Sequence, residues 1–120
     1  MSGAMMLADI TIAQVPDRSI YLNQPYKNVR RDMIRRGYLP VARRHTSAEF
    51  RCYRTSFCKT YPEVVDCAGT GVGACMFQFY DPPSKSWFVV TTAGEVDVLV
   101  TGIRPATKAD LRPLKLYPVN

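Results

Sequence analysis

The predicted sheet of this chain of 120 residues is centred on the segment CMFQFYDPPSKSWFVVTT at residues 75–92. Its two ends, Cys75–Tyr80 and Trp87–Thr92, are rich in the aromatic and β-branched residues that favour strands. Its middle, Asp81–Ser86, holds two prolines, two serines and an aspartate, which favour turns. Two strand-like runs joined by a short turn predict a β-hairpin.

A third strand is predicted directly after the hairpin, in the segment EVDVLVT at residues 95–101. Acidic or polar residues alternate there with Val96, Val98 and Val100, so one face of the strand is expected in water and the other in the core. Gly94 supplies the turn before it. The three segments together predict an antiparallel three-stranded meander.

The segment from Pro25 to Arg36 predicts a helix. Polar residues precede Pro25, whose missing N–H costs nothing in a first turn. Gly37 suits the left-handed position that ends a helix, and Pro40 discourages continuation. At 100° per residue, one helix face is apolar and consists of Tyr26, Val29, Met33 and Ile34.

Other elements are predicted from shorter patterns. These are a strand at Met6–Val15, a short extended segment at Ser19–Leu22, an edge strand at Tyr38–Arg44, a helix after a capping box at Thr46–Glu49, and a short β run at Glu63–Cys67. A strand is the open alternative for the segment after the capping box. The predicted fold is a single α+β domain over residues 1–120, with one or two helices packed on an antiparallel sheet. Residues 1–5 resemble a cloning remnant or a disordered end. The predicted core consists of Ile10, Ile12, Val29, Met33, Phe77, Phe79, Phe88, Val90, Val98 and Val100.

Positive charge is concentrated in the segment Lys27–Lys59. It holds ten of the sixteen basic residues and two of the ten acidic ones, so its net charge is +8 and the rest of the chain carries −2. A surface of this sign attracts polyanions and acidic protein surfaces. On the predicted helix, Lys27, Arg31 and Arg35 form a basic row beside the apolar face, although solvated charge is also what any exposed helix face carries.

Aromatic residues interleave with this basic segment, as in proteins that stack nucleic-acid bases on rings while cations hold the phosphates. No RNP, KH, homeodomain or zinc-finger pattern accompanies them. We therefore expect a small non-catalytic binding module for an acidic macromolecule, with nucleic acid or a nucleoprotein complex as the first candidate. The expected contact residues are Lys27, Arg31, Arg35, Arg43, Arg44, Arg51, Arg54, Tyr38 and Tyr53.

Two alternatives remain open at the level of sequence. The same arginines suit an inhibitor or adaptor, of the immunity or anti-defence type, that grips carboxylates on an acidic protein. A metal-independent ribonuclease is the other, with His45 as general base and neighbouring arginines holding the phosphate. His45 is the only histidine, and no second acid or base is identifiable. We expect no enzymatic activity.

Two patterns that resemble ligand sites are given structural interpretations. Gly69-Thr70-Gly71-Val72-Gly73 lacks the following helix that a phosphate-binding loop needs, so we expect a flexible loop. The four cysteines have the spacing C-x5-C-x8-C-x7-C, without the C-x2-C pairs typical of zinc sites. Zinc binding with His45 and two disulfides are the alternatives, but we expect free, buried thiols and no cofactor.

The sequence predicts neither a membrane span nor an export signal. No apolar run approaches the roughly 20 residues of a membrane helix. The first nine residues carry no basic side chain, and Asp9 interrupts their apolar character. We therefore expect a cytoplasmic protein with no membrane contact.

Overall fold

The computed structural model describes residues 15–41, 59–67 and 73–107. They contain a short 3-10 helix at Arg18–Ile20 and the α-helix α1 at Tyr26–Arg35, and residues 59–60 are also helical. The strands are β1 at Leu39–Pro40, β2 at Val64–Cys67, β3 at Cys75–Asp81, β4 at Ser86–Ala93 and β5 at Leu99–Pro105. The fold is α+β, as the sequence predicts.

The predicted hairpin forms the centre of an antiparallel sheet. Its strands β3 and β4 pair in register from Cys75 opposite Thr92 to Asp81 opposite Ser86. β5 pairs with the other side of β4 and completes the meander. On the side of β3 that faces away from β4, β2 pairs with the first half of the strand and β1 with the second half. Pro40 therefore lies in an edge strand, where its missing N–H is tolerated.

Helix α1 packs its apolar face on one side of this sheet. The ring of Tyr26 stacks on Phe77 with centroids 3.9 Å apart, and Met33 is fully buried. Seven predicted core residues are buried here, namely Val29, Met33, Phe77, Phe79, Phe88, Val90 and Val100. Val98 is half-buried against this core, and Ile10 and Ile12 lie outside the described residues. On the opposite sheet face, Gln78 and Val89 are also fully buried.

Both ends of α1 are fixed by backbone contacts. Pro25 is the N-cap, so the helix begins one residue later than predicted. Gly37 has a φ of 99°, its N–H bonds to the carbonyl of Ile34, and the N–H of Tyr38 bonds to the carbonyl of Met33. This is a Schellman motif, which satisfies the last carbonyls of the helix. Ile34, predicted on the apolar face, is 39% exposed.

The third strand of the meander begins later than the sequence predicts. Residues 95–97 form a bend, β5 starts at Leu99, and Val96 is 92% exposed although it was expected in the core. The physical cause is the backbone at Gly94, whose φ of 110° turns the chain sharply out of β4. The predicted extended segment at Ser19–Leu22 is also wrong, because the side chain of Asp17 caps a 3-10 helix there.

The prediction of free thiols is wrong for two of the four cysteines. Cys67 in β2 and Cys75 in β3 are directly paired across the sheet and form a disulfide. Strand pairing brings their Cα atoms to 4.0 Å, a proximity that the sequence spacing does not reveal. Cys52 and Cys58 lie outside the described residues.

Several predicted elements also lie outside the described residues. These are the strand at Met6–Val15 up to residue 14, the helix after the Thr46–Glu49 capping box, the glycine-rich loop up to residue 72, and the part of the predicted edge strand beyond Val41. Within the described ranges, none of the helices is both long enough and apolar enough to cross a membrane.

Candidate functional site

The predicted basic row lies on the exposed side of α1, opposite the core. Lys27, Arg31 and Arg35 are all exposed. Lys27 and Arg31 form no ion pair with any described residue, and Arg31 donates one hydrogen bond to the Asn28 side chain at 3.1 Å. The N-terminal half of the row therefore presents two cations whose charge is not neutralised by described neighbours.

The C-terminal end of the row is partly neutralised by Asp32. Arg35 and Arg36 contact its two carboxylate oxygens at 2.5 and 3.0 Å, and the Tyr21 hydroxyl donates to it at 2.5 Å. The bond from Tyr21 is the main cause that lowers the pKa of Asp32, with help from both arginines. Burial and the same carboxylate raise the pKa of Tyr21 to about 12.

Arg30 does not contribute to the basic surface, because it is paired with a buried acid. Its Nε and Nη2 donate to the two carboxylate oxygens of Glu63 at 2.6 and 3.2 Å, and the Tyr26 hydroxyl donates to the same carboxylate at 2.6 Å. Glu63 is fully buried, and burial together with this carboxylate raises the pKa of Tyr26 well above its usual range. One hint of this cluster is visible in the sequence, since at 100° per residue Arg30 falls on the apolar arc of the helix.

Tyr38 follows the helix and is half-buried rather than fully exposed. Its ring packs edge-on against Phe88, with centroids 5.4 Å apart. Burial and the nearby carboxylate of Asp81 raise the pKa of its hydroxyl. The structure thus brings Lys27, Arg31 and Arg35 together on one helix and places Tyr38 just beyond its end. The remaining predicted contact residues, Arg43, Arg44, Arg51, Arg54 and Tyr53, lie outside the described residues, as does His45.

A groove that the sequence did not predict lies beside the N-terminal end of α1. It encloses about 590 Å³ and is lined by Pro25, Tyr26, Lys27, Thr60, Tyr61, Glu95, Val96, Asp97, Val98 and Leu99. Backbone pairing creates it: Tyr26 N–H donates to Val98 at 2.8 Å and Val100 N–H donates to Gln24 at 2.9 Å. These bonds hold the start of the helix against the start of β5.

The groove has walls of opposite charge. Lys27 lies on the helix side, and the exposed carboxylates of Glu95 and Asp97 lie on the side of the bend. Tyr26, Tyr61, Val98 and Leu99 supply apolar surface. Among the described residues, no group of three or more His, Cys, Asp or Glu side chains is arranged to hold a metal ion.

Comparisons of the chain with protein-family models, with curated proteins and with solved structures find no match.

Proposed function

We propose that this chain is a non-catalytic module that binds an acidic macromolecule, with nucleic acid or a nucleoprotein complex as the partner. The observation that carries the proposal is the pair Lys27 and Arg31, exposed on one face of α1 and without an ion pair among the described residues. Side chains four residues apart leave a helix about 6 Å apart along its axis. Both can therefore contact one phosphate backbone.

The rigidity of α1 supports this proposal. The Arg30–Glu63 pair and the stacking of Tyr26 on Phe77 attach the helix to the sheet, so its outer face has a fixed orientation. Because the helix backbone is already ordered, binding restricts only the cationic side chains and not the backbone that carries them. Because Asp32 already compensates Arg35 in part, the contact is expected to centre on Lys27 and Arg31. The predicted contacts of Arg43, Arg44, Arg51 and Arg54, and stacking by Tyr38 or Tyr53, would extend this surface.

An electrophoretic mobility shift with RNA and with DNA, repeated at two salt concentrations, tests the proposal. Binding that relies on several phosphate contacts must weaken steeply as salt rises, because each contact releases counterions. We expect a shift at low salt that is lost at high salt. Absence of binding at low salt, or binding that does not depend on salt, would contradict the proposal.

The non-catalytic part of the proposal is tested with labelled RNA in EDTA. A ribonuclease that uses His45 as general base would cleave the RNA, and His45→Ala would lose about a hundred- to ten-thousandfold of that rate. We expect no cleavage by either protein. Cleavage by the parent chain that vanishes in His45→Ala would show that the protein is an enzyme.

A protein-binding inhibitor or adaptor is the second candidate, favoured by the position of β1. This strand lies at an edge of the sheet that the described residues form, where a partner can add a strand. The predicted contact arginines would then bind the partner's carboxylates. A pull-down with and without nuclease separates the two functions. Recovery of one acidic protein after nuclease treatment would favour the second candidate.

The cytoplasmic location stays a prediction. The Cys67–Cys75 disulfide is instead typical of proteins in oxidising compartments, so cell fractionation of the tagged chain is the direct test of location.

A further inference from the structure

We propose that the groove beside the N-terminal end of α1 binds a peptide segment in which a Lys or Arg side chain adjoins an aliphatic one. This inference goes beyond the proposed function, because the partner has the opposite charge and is recognised by the acidic wall of the groove, although the opposite wall shares Lys27 with the basic row. The acidic wall of the groove, formed by Glu95 and Asp97 with Val96 between them, provides the recognition.

The acidic wall is a tight turn with a defined backbone conformation. At Gly94, a Cβ atom would lie 2.0 Å from the carbonyl oxygen of Asp97, so the turn closes tightly only because this residue has no side chain. At Gly73, a Cβ atom would lie 2.8 Å from Cγ of Glu95, so the stem of Glu95 passes directly over the glycine. Two glycines thus make room for the turn and set the position of the Glu95 carboxylate.

The turn exposes an aliphatic side chain at its tip. Val96 is 92% exposed, whereas Val98 and Leu99, which follow it into the groove, are partly buried. A single exposed valine on a protein surface is ordinary. Here it continues an apolar strip that already lines a groove, so an aliphatic side chain of a partner can bury Val96 and Val98 together.

Charge complementarity identifies the partner. Glu95 and Asp97 flank Val96, and both carboxylates are exposed, in a chain whose net charge is +6. Only Lys27 on the opposite wall is basic, so the lining has a net negative charge. A phosphate would meet two carboxylates here, but an ammonium or guanidinium group is attracted by both.

The size of the groove suits a short segment. Its volume of about 590 Å³ lies within the range of roughly 300–1,000 Å³ found for ligand sites. It therefore accommodates a few side chains of an extended peptide, and not a whole helix or strand of a partner.

The test is an NMR titration of the full-length, ¹⁵N-labelled chain with the capped peptide GLRVRG, and with GLQVQG as the uncharged control. We expect saturable shift changes at the amides of residues that line the groove, with GLRVRG binding at least fivefold more tightly than GLQVQG. The double variant Glu95→Gln/Asp97→Asn should weaken GLRVRG binding at least fivefold, and Val96→Ser about fivefold. Asp66→Asn removes an exposed acid outside the groove and should leave the affinity within twofold.

AMP is titrated in the same way as an anionic ligand. Four results would overturn the inference: no saturable change at millimolar peptide, equal affinity for both peptides, changes centred outside the groove, or tighter binding of AMP to the same residues. Dispersed amide spectra verify that each variant is folded. Because no nucleic acid is present and Lys27 and Arg31 are unchanged, the result is independent of whether the basic face of α1 binds nucleic acid.

Discussion

At the scale of single residues, Glu63 shows how the helix is held on the sheet. A fully buried carboxylate is tolerated only when it is paired and hydrogen-bonded, and Arg30 and Tyr26 supply three hydrogen bonds to it. All three bonds connect α1 to the residue directly before β2, 33 or more positions along the chain. The cluster thus fixes the helix whose outer face carries Lys27 and Arg31.

Glu63→Gln should lower the free energy of unfolding by about 3 kcal/mol, because the charge that pairs with Arg30 is lost and an amide donor faces the existing donors. Tyr26→Phe removes a single donor and should cost about 1–2 kcal/mol. Urea denaturation measures both values. A loss below about 0.5 kcal/mol for Glu63→Gln would show that the buried pair does not hold the helix.

Asp32 should make the free energy of unfolding depend on pH in the acidic range. The hydrogen bond from Tyr21 lowers the pKa of Asp32 below its usual value of 3.8. A lowered pKa in the folded state stabilises the fold above that usual value, and the stabilisation is lost as the pH falls through the folded-state pKa. The difference in unfolding midpoint between the parent chain and Asp32→Asn should therefore be largest at pH 6 and decrease below about pH 3.8. A gap that is constant down to pH 2.5 would contradict this assignment.

At the scale of elements, the helix and the hairpin follow from local sequence, whereas the start of β5 does not. Gly37 ends α1 as predicted, since a Schellman motif needs only the residues around it. The alternation in residues 95–101 correctly indicates that Val98 and Val100 face inward. It fails at Val96, because the backbone of Gly94 leaves the sheet before β5 begins. Alternating residues do not reveal where a glycine redirects the chain.

Two of the three described glycines with positive φ, Gly37 and Gly94, should respond differently to alanine. Gly37→Ala meets no atom within 4 Å and only strains the backbone, so it should cost about 1 kcal/mol. Gly94→Ala places a Cβ atom 2.0 Å from the carbonyl oxygen of Asp97, so the turn must open, at a cost of roughly 3 kcal/mol. Thermal unfolding of both variants gives the comparison. Equal losses, or a larger loss for Gly37→Ala, would contradict the tight turn.

The disulfide between β2 and β3 should contribute to stability through the unfolded state. It closes a loop with a sequence separation of 8, for which loop-closure entropy gives roughly 2–3 kcal/mol. Unfolding in urea with and without reductant should show this difference. In the double variant Cys67→Ala/Cys75→Ala, which lacks the bond, reductant should no longer cause this loss of stability. Mass spectrometry of the oxidised chain verifies the pairing. Unchanged stability on confirmed reduction would contradict the expected contribution.

At the scale of the whole molecule, the sequence shows where the charged residues lie along the chain, and the fold determines which of them are paired with an opposite charge. The sequence shows that the segment Lys27–Lys59 is strongly basic, but it does not show which charges are available. Arg30 is taken up by Glu63, and Arg35 and Arg36 share Asp32, both through contacts that depend on the folded helix. The groove was equally hidden, since its walls come from three separate parts of the chain.

The salt dependence of nucleic-acid binding tests the central claim most directly. Fluorescence anisotropy with a labelled single strand gives the slope of log affinity against log salt for the parent chain and for Lys27→Ala/Arg31→Ala. If these two residues contact phosphates, the slope should become shallower by about 1.4. The matched control Lys85→Asn/Arg104→Gln also removes two positive charges, but away from α1, and should keep the parent slope. A slope unchanged by Lys27→Ala/Arg31→Ala, or changed equally by the control, would contradict binding through the exposed face of the helix.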